Sequence, residues 1–323
     1  MIRVVVAAFK YTLIAAIASM FFAIVYNQMY NVEVDIFSSE VGKQEGLVSK
    51  MYRSVITEKN PKDEILKLSA LESFVGDTVM EMKKINALFR PTDNSPLKLT
   101  ANQALLDNNS RDAVFTGNVK VVSKRPFLLF TERLDWADEE RMLKTTRRVR
   151  MESDEGVVTG RGLLLNVDTQ DVTVLKTLKA DMKRRIITGD RGEFLNQEKK
   201  MNVFGHAEMV QKEADLGAAG VESINIKSDK LEAWSASEGE EYETVVAEGN
   251  VRILTEKREI TGDLTTVYTP EHKIVVTGNA VLLEETNDLR GEKIIYFYDR
   301  DDIIISGGEE NRARMIIAPP KDD

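Results

Sequence analysis

Residues 245–284 read VVAEGNVRILTEKREITGDLTTVYTPEHKIVVTGNAVLLE, and this stretch holds the pattern that decides the fold. Its apolar runs alternate with polar residues and carry a glycine near the middle, while polar breaks such as Thr255–Lys257 and Thr269–Glu271 separate the runs. Alternation predicts strands and polar breaks predict hairpin turns. Because glycine inside a strand marks a bend, we expect long strands that are kinked at the glycine and pair antiparallel in chain order.

The glycines follow a lattice. From Gly249 they fall at positions 249, 262, 278, 291 and 307, in steps of 13 and 16 that give a period of 29. Gly160 and Gly189 are also 29 residues apart, and a Gly-Asn pair recurs at 117–118, 249–250 and 278–279. A fixed period of this length is typical of a stacked architecture. Four further lattice positions, near residues 131, 147, 176 and 228, lack the glycine. With these included, the lattice predicts 13 strand units between residues 117 and 307.

The aligned kinks predict an all-β fold, an elongated antiparallel trough in which two sheets face each other across an apolar interior. The predicted interior is a continuous apolar face, because residues such as Val251 and Ile253 alternate with polar neighbours. An ordinary sandwich core, filled by its own side chains, would produce the same pattern.

The N-terminus predicts a membrane anchor. Val4 to Tyr26 contains a single charge, Lys10, and as a helix it would measure roughly 35 Å, enough to cross a bilayer. Arg3 and Lys10 lie on its N-terminal side, so the positive-inside rule places the N-terminus in the cytoplasm and the remainder outside. We therefore expect residues 1–30 to form a single-pass transmembrane anchor. The alternative is a cleaved signal peptide ending at Ala16–Ala18.

Residues 31–95 predict a helical neck or linker. Within residues 62–90, apolar residues are spaced three and four apart, a helical stripe, at Leu68, Leu71, Val75, Val79, Met82, Ile85 and Phe89. We expect this helix to pack on the domain that follows rather than to dock elsewhere. Pro91–Pro96 then predicts a linker.

Composition excludes several classes of protein. The 323 residues contain no Cys, which excludes disulfides, thiolate metal sites and thiol nucleophiles. The net charge of −9 and the lack of an extended basic tract argue against nucleic acid as a partner. Only two histidines are present, His206 and His272, and they are 66 residues apart. We therefore expect no catalytic residue, no metal site and no cofactor.

Two further features have competing interpretations. Asp190 and Asp263 each follow a lattice glycine and could serve as the acids of a carbohydrate-active enzyme, but turn chemistry explains the recurrence better. The clusters Arg147–Arg150 and Lys183–Arg185 could contact lipid phosphates, but we favour solvated strand faces.

The sequence resembles a family of lipopolysaccharide-export proteins. Residues 249–321, with EGNVRI, TGNAVLLEE and RGEKIIYFY, resemble the periplasmic OstA-like β-jellyroll proteins of the LptA type. The anchor followed by LTANQALLDNNSRDAVFTGNVKVV and VVTGRGLLLNVDTQDVTVL resembles the membrane-anchored LptC type. Together they imply a fusion, with an LptC-like jellyroll at 96–185 and an LptA-like jellyroll at 186–323.

The resemblance implies a function. A membrane-anchored periplasmic bridge would hold lipopolysaccharide acyl chains in a V-shaped groove and convey them from an inner-membrane ABC transporter toward the outer membrane. The implied groove residues are Val251, Ile253, Ile260, Val267, Leu289, Ile294 and Tyr296. Exposed edge strands would form the joints: an N-terminal edge at Leu97–Ala101 for the transporter, and a C-terminal edge at Ile303–Ile317 for an outer-membrane translocon jellyroll or a further bridge copy. The competing hypothesis is a surface-anchored β-solenoid scaffold or carbohydrate-active enzyme.

Overall fold

The computed structural model describes residues 32–38, 49–59, 64–91, 95–123, 127–211, 223–235, 243–284, 287–300, 302–307 and 313–317. Within these ranges the regular structure is entirely β, in 20 strands. Their bounds are β1 Val32–Ser38, β2 Ser49–Lys59, β3 Glu64–Val75, β4 Val79–Phe89, β5 Leu97–Asp107, β6 Ala113–Ser123, β7 Phe127–Ala137, β8 Met142–Ser153, β9 Gly156–Asn166, β10 Val172–Met182, β11 Arg185–Gly189, β12 Arg191–Leu195, β13 Lys200–Gln211, β14 Asn225–Trp234, β15 Thr244–Leu254, β16 Arg258–Tyr268, β17 Lys273–Glu284, β18 Asn287–Phe297, β19 Asp302–Ser306 and β20 Arg314–Ile317.

The strands form one antiparallel meander. β1 to β10 pair in chain order, as do β13 to β18. β11 and β12 share one position between β10 and β13, and β19 and β20 pair with the two halves of β18. The all-β fold predicted from the alternation is confirmed.

The predicted kinks are breaks in strand register. β15, β16 and β17 shift register at Glu248/Val251, Thr261/Leu264 and Thr277/Ala280, where the lattice glycines lie. β8 and β10 shift at Thr145/Arg148 and Lys176/Lys179, at lattice positions that lack a glycine. The period therefore identifies the bend even where a larger residue occupies it.

Each break changes the alternation of buried residues. In β5 the buried side chains step from Ala101 to Ala104, and in β17 they step from Val276 to Ala280. Steps of three or four replace the usual two, because the residues of the bulge stay outside the interior. Both halves of a strand can thereby turn an apolar side toward the same interior.

The sheet folds over along these breaks. The strand pairings from β4 through β5 and β6 to β7 align Phe89, at the end of β4, with the first residue of β7. Trp136 lies nine residues further along β7. In a flat sheet that separation would be about 30 Å, yet the two rings are 4.8 Å apart. The two halves of the strands therefore face each other, as predicted.

The predicted helix over residues 62–90 is wrong, since β3 and β4 form a hairpin there. Leu71 and Val79, two members of the supposed stripe, are 41% and 38% exposed. The error has a physical cause: β4 buries Met82 and then Ile85, because it bends at Lys84, which has a φ of 53°, without a shift in register. A strand with a break has one step of three among steps of two, and two such strands in succession imitate a helical period.

The predicted linker and N-terminal edge are wrong for a related reason. β4 pairs with β5 from Phe89↔Leu97 to Val79↔Asp107, so Pro91–Pro96 connects neighbouring strands of one sheet. β5 also pairs with β6, so Leu97–Ala101 is internal. Among the described residues, β1 pairs only with β2 and is the N-terminal edge.

The sheet is continuous where the two resemblances meet. β10 pairs with β11 through Leu178↔Gly189 and with β12 through Val172↔Phe194, and both short strands pair with β13. Backbone hydrogen bonds therefore join the LptC-like and LptA-like parts directly.

Candidate functional site: the apolar interior

The seven implied groove residues all lie in the interior. Six are at most 3% exposed and Leu289 is partly buried against the same cluster. They divide between the facing halves: Ile253 and Ile260 are cross-strand partners on one side of the breaks, and Tyr296 lies in a row with Ile274 and Val267 on the other. Whether they contact a lipid stays a prediction.

The interior extends far beyond those residues. One cluster of buried apolar side chains runs from Met51 in β2 to Tyr298 after β18. The implied set missed Ile274, Val276 and Leu282 between its own members, as well as the whole interior before β15. The alternation on either side of each break is the signal that would have found them.

The Gly-Asn breaks at Gly249 and Gly278 are built around an aspartate on the preceding strand, whereas Gly117 faces Asn102. Gly278 and Asn279 have φ of 76° and 50°, the left-handed region that only glycine enters without strain. Asn279 Nδ2 donates to Asp263 Oδ2 at 3.0 Å. A Cβ on Gly278 would lie 2.5 Å from that same oxygen, so glycine makes room for the carboxylate.

Asp190 and Asp263 are therefore parts of the bends. Asp190 Oδ2 lies 2.9 Å from Nδ1 of His206, which takes the place that asparagine has at the Gly249 and Gly278 bends. The hydrogen bond with Asp190, followed by the charge of that carboxylate, raises the pKa of His206. His272 lies instead in the turn between β16 and β17, with its ring 5.4 Å from Tyr298. The interpretation of the aspartates as bend chemistry accounts for their recurrence.

The lattice glycines that are followed by aspartate, Gly189 and Gly262, leave room for a side chain of the next strand. A Cβ on Gly262 would lie 2.5 Å from Cγ1 of Val276, a fully buried residue of β17. Gly189 has the same relation to Val203, at 2.3 Å. These glycines let the interior close tightly at the bend.

The strand ends form two rims that meet across the interior. Rim 1 is the side of the sheet where β4 ends and β5 begins, and rim 2 is the side where β5 ends and β6 begins. Because neighbouring strands are antiparallel, the later turns between strands lie alternately on rim 1 and rim 2. Gln170 on rim 2 accepts from Ser123 Oγ at 3.4 Å and donates to the Ser95 carbonyl at 2.6 Å, both on rim 1. Arg141 on rim 2 donates to the Arg90 carbonyl at 3.3 Å.

A second closure lies further along the trough. Arg185, at the rim-1 end of β11, is 3% exposed and donates through Nη2 to Thr269 Oγ1 on rim 2 at 2.5 Å. Within rim 2, Tyr298 Oη donates to the Thr269 carbonyl at 3.4 Å and holds Thr269 in place. Burial raises the pKa of Tyr298, so it stays a neutral donor. The interior is apolar, and polar bonds close it at the rims.

No helix in the described part of the chain is long and apolar enough to cross a membrane. The predicted anchor, residues 1–30, lies outside the described residues.

Comparisons with known proteins identify the two parts. Residues 12–183 match the family model "Lipopolysaccharide-assembly, LptC-related", and residues 187–302 match "LptA/(LptD N-terminal domain) LPS transport protein". No curated protein sequence matches the chain. Among solved structures, LptH of Pseudomonas aeruginosa, the LptA-homologous periplasmic component of the lipopolysaccharide transport device, matches at 15% identity and a TM-score of 0.35, covering 42% of this chain and 95% of its own. Because the LptC-related model covers more than half of the chain, the protein belongs to the LptC-related lipopolysaccharide-assembly family, with an LptA/LptD-type transport region in tandem.

Proposed function

We propose that this protein is an inner-membrane-anchored periplasmic bridge that binds lipopolysaccharide acyl chains between its facing half-sheets and conveys them from an inner-membrane ABC transporter toward the outer membrane. The observation that carries the proposal is the single buried apolar cluster, which continues from β2 to β18 across the junction of the two family matches. The role is one of binding and transfer rather than catalysis.

Acyl chains need such a path. Keeping one CH₂ group out of water is worth about 0.8 kcal/mol. In the structure the protein's own side chains fill the interior, with residues such as Leu163, Ile260 and Ile294 fully buried. An entering acyl chain would replace these contacts by similar apolar ones, so the exchange costs little once the rims separate.

The rims are where we expect the trough to open. Hydrogen bonds from Gln170, Arg141 and Arg185 join them, and water can replace such bonds at modest net cost. The sugars and phosphates of the lipid would then emerge between the rims while the acyl chains stay inside.

The two ends of the sheet are the proposed joints. β1 is the edge nearest the anchor, and we assign to it, in place of the internal β5, the contact with the transporter. β19 and β20 form the other edge within the described chain and would add strands to a translocon jellyroll or to a further bridge copy. We place the division between the LptC-type and LptA-type parts at residues 185 and 186, between the two family matches.

Photo-crosslinking in cells tests the proposal. A photoreactive residue at Ile260 or Tyr296, both buried, should give lipopolysaccharide adducts. The matched control is Leu264, which is 40% exposed on the outer side of β16 and should give none. Absence of adducts at both buried positions, in protein that is folded and membrane-bound, would overturn the proposal.

A further inference from the structure

Three cations lie side by side on the outer face where β8, β9 and β10 bend. Arg148 is the register partner of Arg161, and Arg161 is the register partner of Lys176. All three are exposed, while the adjacent Val149 is buried, so the row faces away from the interior. Like charges directly opposite one another destabilise a sheet.

These cations differ from others on the same outer face. Arg150 binds Glu152 at 2.7 Å, Arg252 binds Glu259 at 2.6 Å, and Arg290 binds Asp288 at 2.8 Å. The charged groups of Arg148, Arg161 and Lys176 form no ion pair or hydrogen bond with any described residue, and only the backbone carbonyls of Arg148 and Lys176 accept from threonine side chains. A row of unneutralised cations in a chain of net charge −9 favours an anionic ligand.

A groove lies along Arg148 and Arg161, and Lys176 lies beside it, next to the lining residue Thr177. Its volume is about 1030 Å³, large enough for an oligosaccharide of several sugars. Lys120, Arg148, Arg150 and Arg161 line it, and Glu132 is the one carboxylate among its lining residues. Its other walls provide threonine hydroxyls at positions 100, 131, 159 and 177, and the ring of Phe130, over which Lys120 lies at 5.6 Å.

We propose that this outer groove binds a phosphorylated saccharide, with Arg148 and Arg161 on the phosphate, Lys176 adding positive charge beside them, and the hydroxyls and Phe130 on the sugar. A phosphate offers three strong acceptor oxygens and up to two negative charges, which suits several cations held on adjacent strands about 4.8 Å apart. Adjacent hydroxyls and an aromatic face suit a polyol better than an extended acidic peptide. The groove is outside the trough, so the inference does not rest on what the interior holds.

The test uses the full-length protein in a nonionic detergent. The probes are the deacylated, phosphorylated oligosaccharide of lipopolysaccharide, the same oligosaccharide after phosphatase treatment, and inorganic phosphate, each titrated by calorimetry. The triple variant Arg148→Gln, Arg161→Gln, Lys176→Gln is compared with a matched control, Lys98→Gln, Lys183→Gln, Lys293→Gln, three exposed lysines outside the groove lining.

We expect the phosphorylated oligosaccharide to bind, with affinity falling about tenfold or more both on phosphatase treatment and in the triple variant. The control variant should bind as the wild type does. Equal affinity for the phosphorylated and dephosphorylated probes, or for the triple and control variants, would overturn the proposal. Inorganic phosphate binding as tightly as the oligosaccharide would overturn its saccharide part.

Two further measurements distinguish failure of the groove proposal from misfolding of the variant and from failure of the proposed transport path. If the triple variant does not fold, Arg161→Gln alone should still weaken binding several-fold, and an unchanged affinity there would count against the site. Lipopolysaccharide adducts at Ile260 should persist in the folded triple variant, because the interior is untouched. Absence of adducts at Ile260 and Tyr296 in the wild-type protein, together with oligosaccharide binding that the triple variant weakens, would instead refute the proposed transport path and leave the groove standing.

Discussion

The two kinds of bend glycine should respond differently to the same substitution. Alanine at Gly262 would place a Cβ 2.5 Å from Cγ1 of Val276, in a part of the interior from which Val276 cannot move to solvent. Alanine at Gly278 must instead adopt a φ of 76°. The first is a packing conflict with one side chain, and the second is a conflict with the backbone.

The magnitudes follow from these geometries. Overpacking at Gly262→Ala should cost about 1–3 kcal/mol of unfolding free energy, and Val276→Ala alone should cost about 2 kcal/mol for the lost methyl groups and cavity. Combined, the two changes should cost roughly 1–2 kcal/mol less than their sum, because the truncated Val276 makes room for the new Cβ. Gly278→Ala should retain a left-handed penalty of about 1–2 kcal/mol even when Asp263→Ala removes the facing carboxylate.

Urea unfolding of the full chain in a nonionic detergent provides the assay. The chain has two tryptophans, so Trp136→Phe leaves Trp234 in β14 as a fluorescent probe two strand positions from β16. Additive effects at Gly262 and Val276, or complete rescue of Gly278→Ala by Asp263→Ala, would refute the assignment of the two glycine roles.

Three other perturbations test separate parts of the structure. Asp190 raises the pKa of His206 above 6.5, so the pair should stabilise the fold below pH 6.5 and lose that effect as the pH rises through the folded-state pKa. Thermal melts from pH 5.5 to 8.5 should show this loss of stability, and His206→Asn should make the melting temperature less dependent on pH. Trp136→Ala should lower the unfolding free energy by about 3–5 kcal/mol, because Trp136 is 2% exposed and contacts Phe89. Urea unfolding followed by circular dichroism measures the loss, and a loss under about 1 kcal/mol would contradict that contact. The chain has no cysteine of its own, so cysteines introduced at Ser123 and Gln170 can be joined by a short bis-maleimide that holds the rims together. This crosslink should reduce lipopolysaccharide adducts at Ile260 in cells. Adduct yields equal to those of the same variant without the crosslinker would argue against entry through the rims.

Local signals predicted most of the fold after residue 96. The glycine lattice placed the bends correctly even at Arg147 and Lys176, where the glycine is absent. It failed over residues 62–90, because a strand bend at Lys83–Lys84 needs no glycine and the resulting step of three was indistinguishable from a helical step. Gly76 and Asp77, in the turn between β3 and β4, were the available sign of a hairpin.

The candidate site was predictable from sequence only where buried and exposed residues alternate regularly along a strand. Alternation identified Ile253 and Ile260 as interior residues, and both are fully buried. The rim closures join residues far apart in sequence, 75 for Gln170 and Ser95 and 84 for Arg185 and Thr269. No local pattern encodes such pairs, since they follow from how far the sheet folds over.

Continuity at the junction bears directly on the proposed transport. If the LptC-type and LptA-type parts were separate molecules, lipid would have to cross a joint between two exposed edges, which could part. Here Leu178 and Ala180 of β10 and Ile187 of β11 are buried in one cluster, and β10 pairs with β11 directly. A gap that exposed four methylene groups of an acyl chain would cost about 3 kcal/mol, which lowers the population at that point by roughly a hundredfold. Fusing the two parts into one hydrogen-bonded sheet removes that barrier at the junction on the proposed path, which leaves β1 and β19–β20, the two edges of the described sheet, as its proposed joints.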